Sequence, residues 1–379
     1  MSQNKSIFEE VSAGRAAKPT PQGGMIDAGR GGARRGIRLW LMALFALVVA
    51  MILVGGLTRL TDSGLSITEW KPVTGALPPM SAEAWETEFA KYREIPEYQL
   101  QNAGMSLAEF KAIYWWEWGH RQLGRLVGLI WAVGFAGFLI AKKVPAGWTN
   151  RLLLIGALGG LQGAIGWWMV SSGLEGERLD VASYRLATHL GLAFVILGYI
   201  AWYIFQLGHP ERDLMQRRRG RERKLWGMGT GLLHFAFLQI LIGALVAGID
   251  AGRNYIDWPL MGGTFLPPFP FELEPLWRNF FENDATVQFI HRMVAYALFL
   301  FGVGAWFASR KSGNRAVRFG FNLVLALLSL QVLLGIVTVM HGSPWSIAIL
   351  HQLGAVALWV AILRARFLAG YPPAQSIRG

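Results

Sequence analysis

The 379-residue chain has no cysteine. That excludes disulfides, thiolate metal sites, iron–sulfur clusters and covalently attached c-type haem, and leaves histidine and carboxylates for any metal chemistry. Charge is also scarce. Asp, Glu, Lys and Arg make up 16% of residues against 53% hydrophobic, a balance that excludes a soluble domain and describes a polytopic membrane protein. A secretory leader is lacking too. Residues 1–38 are polar, Gly-rich and basic, without an apolar core or a cleavage site, and residues 1–36 read as a disordered cytoplasmic tail. The net charge of +12 does not indicate nucleic acid, because the basic residues sit in short loops between apolar runs, where they orient a protein in the bilayer.

What the chain does have is length without charge. About 20 apolar residues cross a bilayer, and such runs occur at 39–58, 114–141, 152–174, 186–207, 225–249 and 286–309. The run at 319–363 is too long for one helix and breaks at His341-Gly-Ser-Pro344, which gives eight spans. Of 36 Lys and Arg, 24 lie in the tails and the loops 142–151, 209–224 and 310–318, so both termini are expected in the cytoplasm, in the inner membrane of the cell. The opposite face carries the long loops 59–113 and 250–285. In the first of these, Trp85, Phe89 and Tyr92 recur at helical spacing and predict a short amphipathic helix lying on the surface. Ser106 and Glu109 form a capping-box pattern that starts the second span near Leu107.

The two halves repeat. Asp62, Gly64, Trp70 and Gly75 align with Asp250, Gly252, Trp258 and Gly263 at an offset of 188. His120-Arg121 pairs with His291-Arg292, Leu161-Gln162 and Gly166 with Leu330-Gln331 and Gly335, and His189 with His351. Four spans per repeat make the repeats parallel, related by an axis along the membrane normal. The expected fold is all-α: two pseudo-symmetric four-helix bundles at 37–208 and 225–368, a basic cytoplasmic linker at 209–224 and a cytoplasmic tail at 369–379.

Of seven histidines, four stand out. His120, His189, His291 and His351 lie a few residues inside the outer ends of the even-numbered spans, two per bundle. Gly124, Ala193, Ala295 and Ala355 follow them at four-residue steps. A single histidine in a span is commonly a core hydrogen-bonding group. Two repeat-related pairs at one depth instead match axial ligation of b-type haem by facing imidazoles, with Gly124 and Gly128 leaving a flat strip beneath His120. His209 reads as solvent-facing, His234 as structural or part of a proton or electron path, and His341 as a helix-end cap. Arg121 and Arg292 have two readings, bidentate contact to haem propionates or snorkelling to the interface. Arg59, Arg125 and Arg185 are further candidates, and Asp62 and Asp250 read as turn caps. Glu117 lies three residues before His120, on the same helical face, whereas Gln288 holds that place before His291. A carboxylate in one bundle and a neutral amide in the other puts the chemistry in the first and electron storage or transfer in the second.

With these residues the chain resembles the haem A synthase family, in the mitochondrial and proteobacterial form without an outer-loop cysteine pair. The resemblance spans about residues 37–370. It is carried by GGLTRLTDSGLSITEWKPVTGALPP, AEFKAIYWWEWGHRQLGRLVG, THL at 188–190, QFIHRM and LHQLGA. It implies oxidation of the ring-D methyl group of haem O to the formyl group of haem A, for cytochrome oxidase. It also implies a resident haem b on His291 and His351, a substrate haem framed by His120 and His189, and Glu117 as the acidic active-site residue. Haem O synthase, an electron-transfer partner and the bilayer are the expected partners, and a homo-oligomer is left open. Two alternatives stand beside it: a dihaem, quinol-linked electron carrier, and a transporter built on parallel repeats. Extracted pigment separates the three, since haem A or a hydroxylated haem marks the synthase, haem B alone the carrier, and no haem the transporter.

Overall fold

The computed structural model describes residues 30–375 except Glu175 and Glu177; most of the basic N-terminal tail lies outside the described residues. Among the described residues there are twelve α-helices and no β-sheet: α1 (Arg30–Leu60), α2 (Ala82–Arg93), α3 (Pro96–Leu100), α4 (Leu107–Ile140), α5 (Thr149–Val170), α6 (Ser183–Leu207), α7 (Glu211–Arg219), α8 (Arg223–Gly248), α9 (Asn279–Glu282), α10 (Asp284–Ser309), α11 (Arg315–Met340) and α12 (Trp345–Gly370). Eight of them, α1, α4, α5, α6, α8, α10, α11 and α12, are long and apolar enough to cross a membrane. The chain is a multi-pass membrane protein. The long run at 319–363 does break at His341–Pro344. Gly342 and Ser343 adopt left-handed φ values of +70° and +55°, and the ring of Pro344 has no N–H to continue a helix, so a new one starts behind it.

The first span is longer than its charge-free run. Helix α1 already includes Arg34, Arg35 and Arg38, because Arg34 reaches the end of α6 and donates from Nη2 to the main-chain oxygens of Gln206 (3.3 Å) and His209 (2.9 Å). His209 is therefore not solvent-facing. It is half-buried and stacks on the ring of Phe367.

Each half closes a ring of four helices. In the first, α1 packs on α4 and α6, and α5 bridges α4 and α6. In the second, α8 packs on α10 and α12, and α11 bridges α10 and α12. Helices α6, α8, α12 and α1 form the seam between the rings, where Gln352 of α12 donates to the Ile52 main-chain oxygen of α1 at 2.6 Å. Of its most apolar stretch, α6 has 56% buried against protein and α4 only 6%, so α6 is central and α4 peripheral.

The helix ends repeat along with the helices. Asp62 and Asp250 both take left-handed φ values, +48° and +53°, a region Asp tolerates better than most residues. Behind them, Ser63 N bonds Thr58 O and Ala251 N bonds Val246 O, again 188 residues apart. These agreements are consistent with an internal repeat.

The loop at 61–106 is folded onto α4. Trp85, Phe89 and Tyr92 of α2 are buried. Their apolar face turns into the protein, not onto a lipid surface, and packs with Ile95, Phe110 and Tyr114. The Phe89 and Phe110 rings stack at 4.8 Å. Helix α4 starts at Leu107 behind a complete capping box: Ser106 Oγ accepts from Glu109 N, and the Glu109 carboxylate accepts from Ser106 N at 2.8 Å. This cap extends α4 about two turns beyond its apolar run, so Glu117 and His120 lie in the N-terminal half of the helix.

Candidate functional site

Glu117 is 2% exposed, and both its oxygens are engaged. Oε2 accepts from Ser66 Oγ and Ile67 N, each at 2.7 Å. Oε1 accepts from Arg121 Nε (3.0 Å) and Nη2 (2.6 Å). Arg121 then spends its other donors on the main-chain oxygens of Ile67 (2.7 Å) and Glu69 (3.0 Å). The pair thus fastens the loop that follows α1 to the outer part of α4.

The second half builds the same fastening without the carboxylate. Arg292 donates to Gln288 Oε1 (3.0 Å), Tyr255 O (3.1 Å) and Leu260 O (2.9 Å). Gln288 Nε2 donates to Ala251 O (2.8 Å) and Tyr255 O (3.1 Å). Loop polarity explains the exchange of Glu for Gln. The first loop offers donors, Ser66 O–H and Ile67 N–H, whereas the second offers carbonyl acceptors. Both arginines are committed to these loops. The spare donor lies one turn further along α4: Arg125 uses Nε and Nη2 on Pro72 O and Lys71 O, and its Nη1 is buried without a partner. Arg125, Arg121, Lys71 and Lys91 border a cavity of about 540 Å³ under the outer loop.

The four histidines fall into two facing pairs. His120 of α4 and His189 of α6 lie within electrostatic reach of each other, as do His291 of α10 and His351 of α12. Each ring rests against a glycine of a neighbouring helix. A methyl group added at Gly55 would sit 3.2 Å from His120 Nε2. At Gly166, Gly243 and Gly335 it would lie 2.8, 3.0 and 3.2 Å from Cε1 of His189, His291 and His351. Gly124 and Gly128, the expected strip beneath His120, do otherwise. Gly124 faces the Met51 methyl of α1, and Gly128 has nothing within 4 Å.

Glutamines accompany the glycines. Gln162 Nε2 donates to His189 O (3.0 Å) and lies 3.3 Å from Nδ1. Gln239 Nε2 donates to His291 O (3.0 Å) and lies 3.0 Å from Nδ1. Gln331 Nε2 donates to His351 O at 3.1 Å. The other amide oxygen of all three is buried and unpartnered, and so is His351 Nδ1. Buried polar atoms without partners are rare. Here they cluster around paired imidazoles packed on side-chain-free backbone, and paired imidazoles are the donor set that a haem with axial histidine ligands requires. The residues fit haem in both bundles. Sequence reasoning found Gln162 and Gln331 but missed Gln239, Gly243 and Gly55. The signal was available, since Gln and Gly recur four residues apart in α5, α8 and α11.

The remaining histidines are ordinary. His234 and His341 are exposed and bond main-chain oxygens one turn back, of Thr230 and Val337; His341 is the C-cap of α11.

Arg59, at the end of α1, is a junction. Its guanidinium meets Asp62 (2.9 Å), Asp180 (3.3 Å) and Asp250 (3.2 Å), from three separate outer segments. Asp62 and Asp250 are thus more than turn caps. Arg185 donates from Nη1 to Trp168 O and Ser171 Oγ, and its Nε is buried without a partner. Nearby, Glu97 of α3 is 3% exposed. Its Oε1 accepts from Asn102 at 3.4 Å and its Oε2 has no partner. Burial, followed by the charges of Asp180 and Asp62, pushes its carboxyl up to about 8.

Comparison with known proteins agrees with this geometry. Residues 38–363 match the model of the family described as cytochrome oxidase assembly protein. Among similar curated proteins, the heme A synthase of Ruegeria pomeroyi is 67% identical over 382 residues and that of Roseobacter denitrificans 62% over 381, each alignment covering 100% of both chains. The heme A synthase of Cereibacter sphaeroides strain ATCC 17029 is 60% identical over 99% of this chain and 98% of its own. By a family match over most of its length and relatives alike over all of it, the chain belongs to the cytochrome oxidase assembly protein family.

Proposed function

We propose that the protein is a haem A synthase whose N-terminal bundle takes haem O between His120 and His189 and whose C-terminal bundle holds haem b on His291 and His351. The observation that carries this reading is full-length identity of 60–67% to heme A synthases, and it is supported by four histidines in two pairs, each packed on a glycine of a neighbouring helix. The reaction oxidises the ring-D methyl group of haem O to the formyl group of haem A. The haem b supplies one-electron redox chemistry at the C-terminal pair. His120 and His189 hold and orient the substrate, and the apolar walls of the bundle exclude water. Arg125 Nη1, the unspent donor beside the outer cavity, offers an anion contact for a propionate. In this reading Glu117 stabilises positive charge developing at the substrate's periphery and accepts the proton shed there. Haem O arrives from a haem O synthase and electrons leave through a partner protein. The protein sits in the inner membrane with both termini in the cytoplasm, as the distribution of 24 of its 36 basic residues favours.

A second reading of Glu117 has its own support. Both oxygens are committed to Ser66, Ile67 and Arg121, so the residue fastens the loop that follows α1 to α4. Glu117→Gln separates the two. As the chemical group, its loss leaves haem B content and the outer loop intact while haem O or a hydroxylated haem accumulates and haem A disappears. As the fastener, its loss sets an amide N–H₂ against two donors, and limited proteolysis then cuts the loop at 61–106. Extraction of pigment from the purified wild-type protein tests the function itself: haem B alone, without haem A or a hydroxylated haem, would refute it.

A further inference from the structure

A cleft of about 340 Å³ opens between the end of α10 and the start of α11, lined by Arg310, Arg318 and Asn322. Arg310 is the C-cap of α10. Arg318 and Asn322 stand one turn apart on α11 and so share a face. Trp306 of α10 ties the two sides together: its Nε1 donates to Asn322 Oδ1 at 2.8 Å, and the Arg310 guanidinium lies 5.5 Å from its ring centre. Arg318 spends Nη1 on the Ser312 main-chain oxygen. The rest of its fork, the whole Arg310 guanidinium and Asn322 Nδ2 give no hydrogen bond among the described residues. Glu222, the carboxylate at this corner, accepts from Ser312 Oγ at 2.7 Å and pairs with neither arginine. The cleft therefore offers donors and positive charge, and no carboxylate lines it.

The helical frame does not require this set. At the matching places of the first half, 171 residues earlier along α4 and 169 earlier along α5, stand Leu139 for Arg310, Thr149 for Arg318 and Leu153 for Asn322. Leu139 and Leu153 are exposed, as Arg310 and Asn322 are. One bundle thus has an apolar surface where the other has charge. By helix rise Asn322 lies about 10 Å into α11 from its first residue, Arg315. Polar groups exposed on a spanning helix are costly without a polar partner. Two exposed rings, Phe307 and Phe319, stand within one turn of Arg310 and Arg318.

We propose that this cleft binds the headgroup of an anionic phospholipid of the surrounding bilayer, with its phosphate on Arg310, Arg318 and Asn322 and its acyl chains along Phe307 and Phe319. Guanidinium forks match phosphate oxygens bidentately, and basic clefts between spanning helices take acidic headgroups. A zwitterionic headgroup fits worse, because its ammonium meets the same arginines and no lining carboxylate. A free phosphate lacks the chains that the two rings accommodate. The bound lipid bridges α10 and α11 and stabilises the folded bundle by mass action. None of this depends on a haem in either bundle.

The test uses the full-length protein purified in detergent and titrated with micelles carrying either phosphatidylglycerol or phosphatidylcholine. Native mass spectrometry reads bound lipid and oligomeric mass together. Wild-type protein should retain phosphatidylglycerol at least several-fold more than phosphatidylcholine. Arg310→Leu combined with Asn322→Leu, which copies the surface of the first half, should cut phosphatidylglycerol retention by roughly fivefold or more. Arg315→Gln, an equal loss of charge at an exposed neighbouring arginine, should leave it unchanged. The unfolding temperature of wild-type protein should rise with phosphatidylglycerol and not with phosphatidylcholine or inorganic phosphate at the same concentration, a readout that stands even if the double variant does not accumulate. Equal retention of the two lipids, an equal fall in Arg315→Gln, a change of oligomeric mass in the double variant with lipid retention intact, or equal protection by inorganic phosphate would each overturn the proposal.

Discussion

Glu97 gives a pH dependence whose sign is fixed by its surroundings. The carboxyl is buried in the outer loop beside Tyr92 and Asn102, with Asp180, Asp62 and Glu117 near enough to oppose a further negative charge. In the unfolded chain it titrates near 4.5, and in the folded protein at about 8. Between these limits the folded state holds a proton that the unfolded state has lost, so stability falls as pH rises through the window and levels off above the folded pKa. At about 1.4 kcal/mol per unit the whole window amounts to at most on the order of 5 kcal/mol, and relaxation of the loop with entry of water leaves a few kcal/mol. Glu97→Gln keeps the shape and removes the titration. Thermal unfolding in detergent, followed at several pH values from 5 to 9, should find the variant close to wild type at the acid end and clearly more stable at the alkaline end. A difference between the two proteins that stays constant across that range would show that Glu97 is not protonated in the fold, and the reasoning from its burial would fail.

Other predictions concern the sites and the topology. His291→Ala or His351→Ala should each lose the low-spin haem B spectrum while the membrane-inserted protein accumulates; a full spectrum in both would remove the ligand assignment. Gly243→Val crowds His291, whose ring lies 3.0 Å from the first added carbon, and should lower haem B occupancy in the purified protein, whereas the same change at Gly128, which has open space around it, should leave it unchanged. Arg59→Met leaves three partly exposed carboxylates facing one another and should cost roughly 2–3 kcal/mol of stability, measurable as a lowered unfolding temperature that partly recovers in high salt. Reporter fusions after Thr149, Gln216 and Gly313 should read as cytoplasmic and those near Met80 and Asn279 as external; reversal at any two would break the topology.

Much of this architecture was legible in the sequence because the bilayer imposes it. A charge-free run has few alternatives to a spanning helix, and the Ser106–Glu109 box marks the start of α4 because capping is local chemistry between residues three apart. The repeat paired the four histidines before any contact was known. What resisted reading were the partners chosen across space. Glu117 and Arg121 look on a helical wheel like a simple ion pair, and only the folded loop shows that they also hold Ile67 and Glu69. The small residue beneath His120 is expected on its own helix, at Gly124 and Gly128, but is Gly55 on α1, since a ring projecting from one helix meets the surface of its neighbour. Gln239 escaped notice because its counterpart is methionine, and a search for matching residues passes over the place where the halves differ.

The Arg59 junction also bears on the order of events during synthesis. Its three carboxylates lie at positions 62, 180 and 250, so they leave the ribosome far apart in time. When the first bundle has been inserted, Arg59 already has Asp62 and Asp180; its contact with Asp250 must wait until α8 has crossed the bilayer. The loops at this end of the bundles are therefore latched in two stages, and the second stage joins the halves. Until then the first bundle carries its own loop closed by Glu117 and Arg121, while α6, later the most buried span, still exposes to lipid the surface that α8 and α12 will cover.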